Sequence, residues 1–192
     1  MKTSHTKPHS KSHHKVDPHK IGLIAGIDEV GRGPLAGPLV SAGVILKPKQ
    51  KLPGLNDSKK LTPLARERLY EKIIKNCISF GIAEISPRFI DQFGLTKAVQ
   101  KVNCLVVENM KIKPDFILID GRDKQTIKIP HQTIIKGDTF IREIMAASII
   151  AKVYRDRIMV NLAKKYPNYR FDLHKGYGTR LHQQLIKKHK PE

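Results

Sequence analysis

Four acidic residues stand where apolar runs give out. Ile24-Ala25-Gly26-Ile27 leads into Asp28-Glu29, Phe116-Ile117-Leu118-Ile119 into Asp120, and Thr133-Ile134-Ile135-Lys136-Gly137 into Asp138. Two adjacent carboxylates at the end of a buried strand repel one another and lose solvation unless positive charge lies between them, so a divalent metal is the natural third party. Three such runs, each ending in acid, point to one carboxylate cluster of catalytic type. Gly31-Arg32-Gly33 follows the first pair directly. Glycines let a backbone come close to a ligand and present its N–H and C=O groups. A ribose 2'-hydroxyl, donor and acceptor at once, is a group that such a loop can read.

Charge says what kind of ligand to expect. The chain carries 36 Lys+Arg against 17 Asp+Glu, a formal charge of +19 and a pI near 10.0. That excess is far more than solubility asks for and points to nucleic acid. With 192 residues and 40% hydrophobic content, the chain can bury one substantial core. Cys77 and Cys104 lack CxxC spacing and read as core residues of a reducing compartment. No apolar stretch approaches the roughly 18 residues of a membrane span, and the N-terminus lacks the hydrophobic segment of a secretory signal. A cytoplasmic protein with no membrane partner is expected.

Residues 1 to 20 differ from the rest. Lys2, Lys7, Lys11, Lys15 and Lys20 alternate with His5, His9, His13, His14 and His19, with almost nothing apolar to bury. A disordered basic tail is expected there, leaving 21 to 192 as the catalytic domain.

The elements that must position the acids follow from periodicity and punctuation. Strands are expected at 22 to 27 and 38 to 46, pairing as a hairpin-like unit across a Gly- and Pro-rich connection. Thr62-Pro63 caps and opens a helix through about Asn76, with Leu64, Leu69, Ile73 and Ile74 on one face. A third strand is expected from Cys77 to Ile85. Ser86-Pro87 then opens a short helix broken at Gly94, before a longer one from Thr96 to Met110. Strands at 116 to 120 and 132 to 136 precede a long helix from Ile141 to Lys165, and a basic helical segment closes the chain. Three strands followed by alternating elements predict an α/β fold, a mixed sheet flanked by helices.

Six ordered motifs carry a resemblance. They are Ile27-Asp28-Glu29-Val30-Gly31-Arg32-Gly33-Pro34-Leu35-Ala36-Gly37, Leu55-Asn56-Asp57-Ser58-Lys59-Lys60-Leu61, Leu118-Ile119-Asp120-Gly121, Lys136-Gly137-Asp138, Ala146-Ala147-Ser148-Ile149-Ile150-Ala151-Lys152-Val153, and His174-Lys175-Gly176-Tyr177-Gly178-Thr179. Together, over about Leu23 to His182, they resemble the bacterial ribonuclease HII family. The resemblance implies a ribonuclease H-like fold with a five-stranded mixed sheet. It also implies a monomeric endoribonuclease that cuts RNA in RNA/DNA hybrids and on the 5' side of single ribonucleotides in duplex DNA, leaving 3'-hydroxyl and 5'-phosphate ends. The context implied is ribonucleotide excision repair and removal of primer RNA, with a sliding clamp as a further partner to be tested.

The family's four metal-binding acids fall on Asp28, Glu29, Asp120 and Asp138, which fits two-metal hydrolysis with Mg²⁺, or Mn²⁺ in its place. A plain capping role for Asp138 stays open. By the same resemblance Gly31, Arg32 and Gly33 read the 2'-hydroxyl, with Arg32 as a phosphate contact, and Tyr177 stacks on the sugar beside the scissile phosphate. Ser58 and Lys59 are phosphate contacts or simply a solvated loop. Asp57 reads as a local turn acid, and His174 as a histidine bonded to backbone. Many relatives continue some twenty residues past the equivalent of His189, a difference that bears on substrate affinity rather than on the acids. Two rivals stay open: ribonuclease HIII, and a nucleic-acid-binding relative without catalysis.

Overall fold

The computed structural model describes residues 22–190; the tail expected at 1 to 20 lies outside them. Five strands, β1 (Ile24–Val30), β2 (Leu39–Ile45), β3 (Ser79–Ile85), β4 (Phe116–Asp120) and β5 (His131–Ile134), form one mixed sheet in the order β3-β2-β1-β4-β5. β1, β2 and β3 make antiparallel pairs, while β4 lies parallel to β1 and β5 parallel to β4. The expected fold class is the one observed, including the β1–β2 hairpin unit.

Helices α1 (Pro63–Asn76), α2 (Pro87–Phe93), α3 (Leu95–Asn109), α4 (Arg142–Lys165), α5 (Phe171–His174) and α6 (Arg180–His189) complete the chain. The cap residues act as their types predict: Thr62 Oγ1 accepts the N–H of Ala65 and Ser86 Oγ that of Phe89. α3 covers one face of the sheet through Val99, Val102 and Val106 against Ile27, Ile117 and Ile119. α1 and α4 cover the other through Leu69, Ile73, Ala146 and Ile150 against Val40, Ala42 and Val44. β2 is therefore buried on both faces, and its apolar run is interrupted only by Ser41, whose buried hydroxyl is hydrogen-bonded to Asn103.

Helix α4 packs tightly on the sheet. Its middle turns are Ala, Ser and Ile, and a Cβ on Gly26 of β1 would collide with the backbone of Glu143 and Ile144. The absence of a side chain at 26 is what lets the helix settle over β1. Cys77 and Cys104 are free thiols, each half-buried against a core.

Two strand ends and the settings of two residues depart from the sequence expectations, each for a structural reason. β1 does not end at Ile27 but runs on through Asp28 and Glu29 to Val30, because its antiparallel ladder with β2 continues there after the parallel ladder with β4 has stopped at Ile27↔Ile119. β5 ends at Ile134 rather than 136. Ile135 faces solvent, and Lys136 adopts a left-handed conformation (φ 58°) that turns the chain into a short 3₁₀ turn, Gly137–Thr139. Asp138 therefore sits on that turn and not at a strand end. Leu64 lies in the first turn of α1 and faces solvent, so the buried stripe of that helix is Leu69 and Ile73.

Candidate active site

Parallel pairing sets two of the acids side by side. Ile27 is in register with Ile119, so the next residues, Asp28 and Asp120, come abreast at the carboxyl end of the central strands. Crevices at strand carboxyl ends, where neighbouring strands connect in opposite directions, are where open α/β sheets take ligands. Strand alternation sends adjacent side chains to opposite faces. Asp28 faces α4, while Glu29 faces the side where Arg32 and Asp123 stand.

The electrostatics are those of acids held together against their own repulsion. Burial pushes the Asp28 carboxyl well above the usual carboxylate range, Glu29 adds to the rise, and Asp120 and Asp138 add further; the nearby Ser148 hydroxyl acts in the opposite direction. The N–H of Glu29 donates to Asp28 Oδ1 at 2.8 Å. Glu29 is also raised by burial, against the pull of Arg32, with Asp120 and Asp123 adding to the rise. Its Oε1 accepts from Arg32 Nη1 at 2.9 Å, whereas its Oε2 is buried without a hydrogen-bond partner. Asp120 is raised by burial and then by Asp138, with the N–H groups of Asp138 and Gly137 opposing the shift. Buried Asp138 accepts from Lys59 Nζ at 2.9 Å, a bond that raises the Lys59 ammonium in turn.

Two cations thus stand on the cluster. Arg32 bridges Glu29 and Asp123, the latter at 2.6 Å, and Lys59 holds Asp138. With these ion pairs in place, the described residues include no group of three or more His, Cys, Asp or Glu side chains set to hold a metal.

The neighbouring loops are built from the same residues that sequence singled out. Asp57 is a turn acid, its Oδ1 accepting the N–H of Lys59. Ser58 does not face outward; it is buried, with its Oγ 2.9 Å from Ser148 Oγ. Lys59, the next residue, is largely exposed. Gly31-Arg32-Gly33 follows β1 directly and turns beside Glu29.

The 174–178 turn has most of its backbone groups committed. Gly176 O accepts from the N–H of Leu35 (2.8 Å) and of Ala36 (3.3 Å), and the N–H of Tyr177 donates to His174 O. The N–H of Gly176 donates to His174 Nδ1 at 3.2 Å, so Nε2 of that ring carries the proton it gives to Tyr169 O at 2.8 Å. Burial lowers the His174 pKa, which favours this neutral form. His182 stacks on His174 with centroids 4.2 Å apart and donates from Nδ1 to Tyr177 O. The Tyr177 ring is partly exposed, with Lys152 Nζ 5.5 Å and Arg155 Cζ 5.6 Å from its centre. A groove of about 590 Å³ opens between α1 and α4, lined by Lys152, Arg157 and Lys175 together with Glu67 and Asp156, and by none of the four clustered acids.

Sequence reasoning brought together the four acids and the two glycine loops, and missed three supporting residues. Ser148 and Arg155 carry the same signal, a polar residue in the buried part of α4. Asp123 carries none, because only the fold brings its loop to Arg32.

The profile of the family described as ribonuclease HII matches residues 25–192. A ribonuclease HII from Caldicellulosiruptor bescii is 44% identical over 169 residues, 88% of this chain and 82% of that protein. The crystal structure of ribonuclease H2 from Pyrococcus horikoshii OT3 superposes with a TM-score of 0.76 at 28% identity, over 87% of this chain and 86% of that one. The ribonuclease HII of Archaeoglobus fulgidus, solved in a complex with PCNA, gives a TM-score of 0.72 at 29% identity, over 86% and 87% of the two chains. The chain belongs to the ribonuclease HII family, and with it to the nucleases, which hydrolyse phosphodiester bonds.

Proposed function

We propose that this chain is a divalent-metal-dependent endoribonuclease that cuts RNA in RNA/DNA hybrids and single ribonucleotides in duplex DNA, on the 5' side of the ribonucleotide, leaving 3'-hydroxyl and 5'-phosphate ends. The observation that carries the reading is the convergence of Asp28, Glu29, Asp120 and Asp138 on one strand-end cluster, directly beside the Gly31-Arg32-Gly33 loop. Residues 21 to 192 form the catalytic domain on this reading, acting in the cytoplasm as a monomer. A sliding clamp as partner rests on the relative solved with PCNA.

The donor set fits a metal. Glu29 Oε2 is buried without a partner, Asp28 is pressed toward protonation by burial and by three acid neighbours, and every candidate ligand is a carboxylate, the donor that hard cations such as Mg²⁺ and Mn²⁺ prefer. Asp28, Glu29, Asp120 and Asp138 would hold it. Bound there, two such ions supply an activated water and stabilise the leaving oxygen.

The chain's own residues do the rest. The Ser148 hydroxyl opposes part of the shift by which burial presses the Asp28 carboxyl toward protonation. Lys59, held by Asp138, would be free to meet a phosphate oxygen were that acid bound to a metal, whereas Arg32 would keep Asp123 as its partner. A Cβ on Gly33 would meet nothing in the protein, so the missing side chain leaves room for a sugar to approach the backbone, whose polar groups match a 2'-hydroxyl. Tyr177 offers a ring face for the adjoining deoxyribose.

The deciding experiment is a gel assay on a DNA duplex carrying one ribonucleotide, with and without EDTA. One nick 5' of the ribonucleotide, abolished by EDTA and absent from an all-DNA duplex, is expected. Binding without any cleavage in Mg²⁺ or Mn²⁺ would leave a nucleic-acid-binding protein instead.

A further inference from the structure

Arg155 is a fully buried guanidinium, and its burial lowers its pKa. Buried arginines are normally paired with carboxylates, because taking the charge out of water is costly. None of the ion pairs among the described residues involves Arg155. Instead Nε donates to Pro38 O at 2.9 Å, Nη2 to Ala36 O at 3.0 Å, and Nη1 to Lys175 O at 2.9 Å. The first two acceptors lie on the loop that contains Gly31 to Gly33, and the third lies two residues before Tyr177. A rigid planar fork with five N–H donors can serve carbonyls from two loops at once, which an ammonium cannot do in the same geometry.

The glycines of both loops are the counterpart of this fork. A Cβ on Gly31 would meet Pro38 O at 2.6 Å and Arg155 Nε at 3.0 Å, one on Gly37 would meet Met159 Sδ at 2.4 Å and Arg155 Nη2 at 3.1 Å, and one on Gly176 would collide with Ala36 O. Gly33, by contrast, has open space. Most of the glycines in these two segments therefore let the loops close around Arg155 and on each other, and one remains to face outward.

We propose that Arg155 is a positioning residue for substrate selection: it clamps the 31–38 loop and the 174–178 turn into one rigid unit, so that the sugar met by the first is presented in register to the Tyr177 ring. The proposal rests on the ribonucleotide reading above for its substrate, but the clamp itself does not depend on that reading. A residue that only filled space would not need a charge without a carboxylate partner. The clamp also explains why the guanidinium lies beside the Tyr177 ring, where its charge favours a ring presented face-on.

The test uses the full chain carrying Arg155→Lys, which keeps the charge and loses the fork, and separately Gly37→Ala, which disturbs the clamp from the loop side should a change at 155 prevent folding. Amide hydrogen exchange at Leu35, Ala36 and Gly176 is followed first. Both variants are expected to accelerate exchange in the two loops together, by about tenfold or more, with the β1–β4 amides unchanged. Cleavage is then compared on a duplex with one ribonucleotide and on a long RNA/DNA hybrid. Arg155→Lys should lose on the order of tenfold to a hundredfold in kcat/KM on the first and markedly less on the second, since misplacement by an ångström is enough for such losses. Wild-type exchange in either loop, or loosening of one without the other, would overturn the clamp. Equal losses on both substrates would overturn the selectivity role. If the wild type cut neither substrate, the ribonucleotide reading would fail, while the exchange experiment would still decide the clamp.

Discussion

Replacing Asp28 by Asn should stabilise the metal-free protein while removing its activity. The folded protein holds the Asp28 carboxyl above its ordinary range, burial being the first cause and Glu29 the second. A carboxyl raised on folding binds its proton more tightly in the folded than in the unfolded state. Its contribution is therefore fully present below the unfolded value, near ~3.9, and is lost as pH rises through the folded one. Asn stays neutral throughout. A buried charge without full compensation costs several kcal/mol, and the substitution gives back about 1 kcal/mol by weakening the bond from the Glu29 N–H, so a net gain of about 2 kcal/mol is expected at about pH 8. At roughly 2 to 4 °C per kcal/mol for a chain of this size, Tm should rise by about 4 to 8 °C.

Thermal melts followed by circular dichroism in EDTA, at about pH 8 and about pH 4, measure this directly. The gap between variant and wild type should narrow in acid, and Mg²⁺ should raise the wild-type Tm more than that of the variant. A natively folded Asp28→Asn variant that melts at or below the wild type in EDTA at the higher pH would refute the reasoning, because the cluster would then carry no repulsion for a metal to relieve.

Other outcomes follow from the same geometry. Asp120→Asn should bring cleavage below about a tenth of wild type while leaving duplex affinity nearly unchanged, since it removes metal charge and leaves the basic surface alone; gel shift beside cleavage separates the two. Tyr177→Ala should remove a stack worth about 1 to 3 kcal/mol, with a larger rate loss on a single-ribonucleotide duplex than on a long hybrid; equal losses would assign the ring to holding its turn. Deleting residues 1 to 20 should make the salt dependence of binding shallower, by roughly 0.9 in log-log slope for each phosphate that the tail neutralises, as titrations at several ionic strengths would read.

The helix caps, the order of strands and helices and the four acids were legible because each has a local signature: Thr62-Pro63 and Ser86-Pro87 for helix starts, apolar runs meeting acid for the site. The end of β1 was not legible, because a strand's length depends on its neighbours. β2 pairs with residues 28 to 30 and carries β1 beyond the point where sequence alone would stop it. Asp138 was identified as an acid of the cluster, but its setting was not, since the left-handed Lys136 that turns β5 into the 3₁₀ turn has no mark in sequence. Ser58 reads as a phosphate contact or as part of a solvated loop because a short polar loop hides nothing by itself; only the approach of α4 buries its hydroxyl against Ser148. Tertiary partners, and not propensity, decide each of these cases.

Ser148, Lys152 and Arg155 lie on one face of α4, at intervals of four and three residues. The first lies by Asp28, and the other two flank Tyr177. On the proposed reading, the interval between the bond that is broken and the sugar that is inspected is a length of helix, about 10 Å from residue 148 to residue 155. A helix is stiff along its axis, so α4 acts as a ruler, and inserting one residue between those positions would turn one mark away from the other by about 100°. Surface loops away from the acids, the 31–38 loop and the 174–178 turn are free to lengthen or shorten without moving the cut, but this stretch of helix is not.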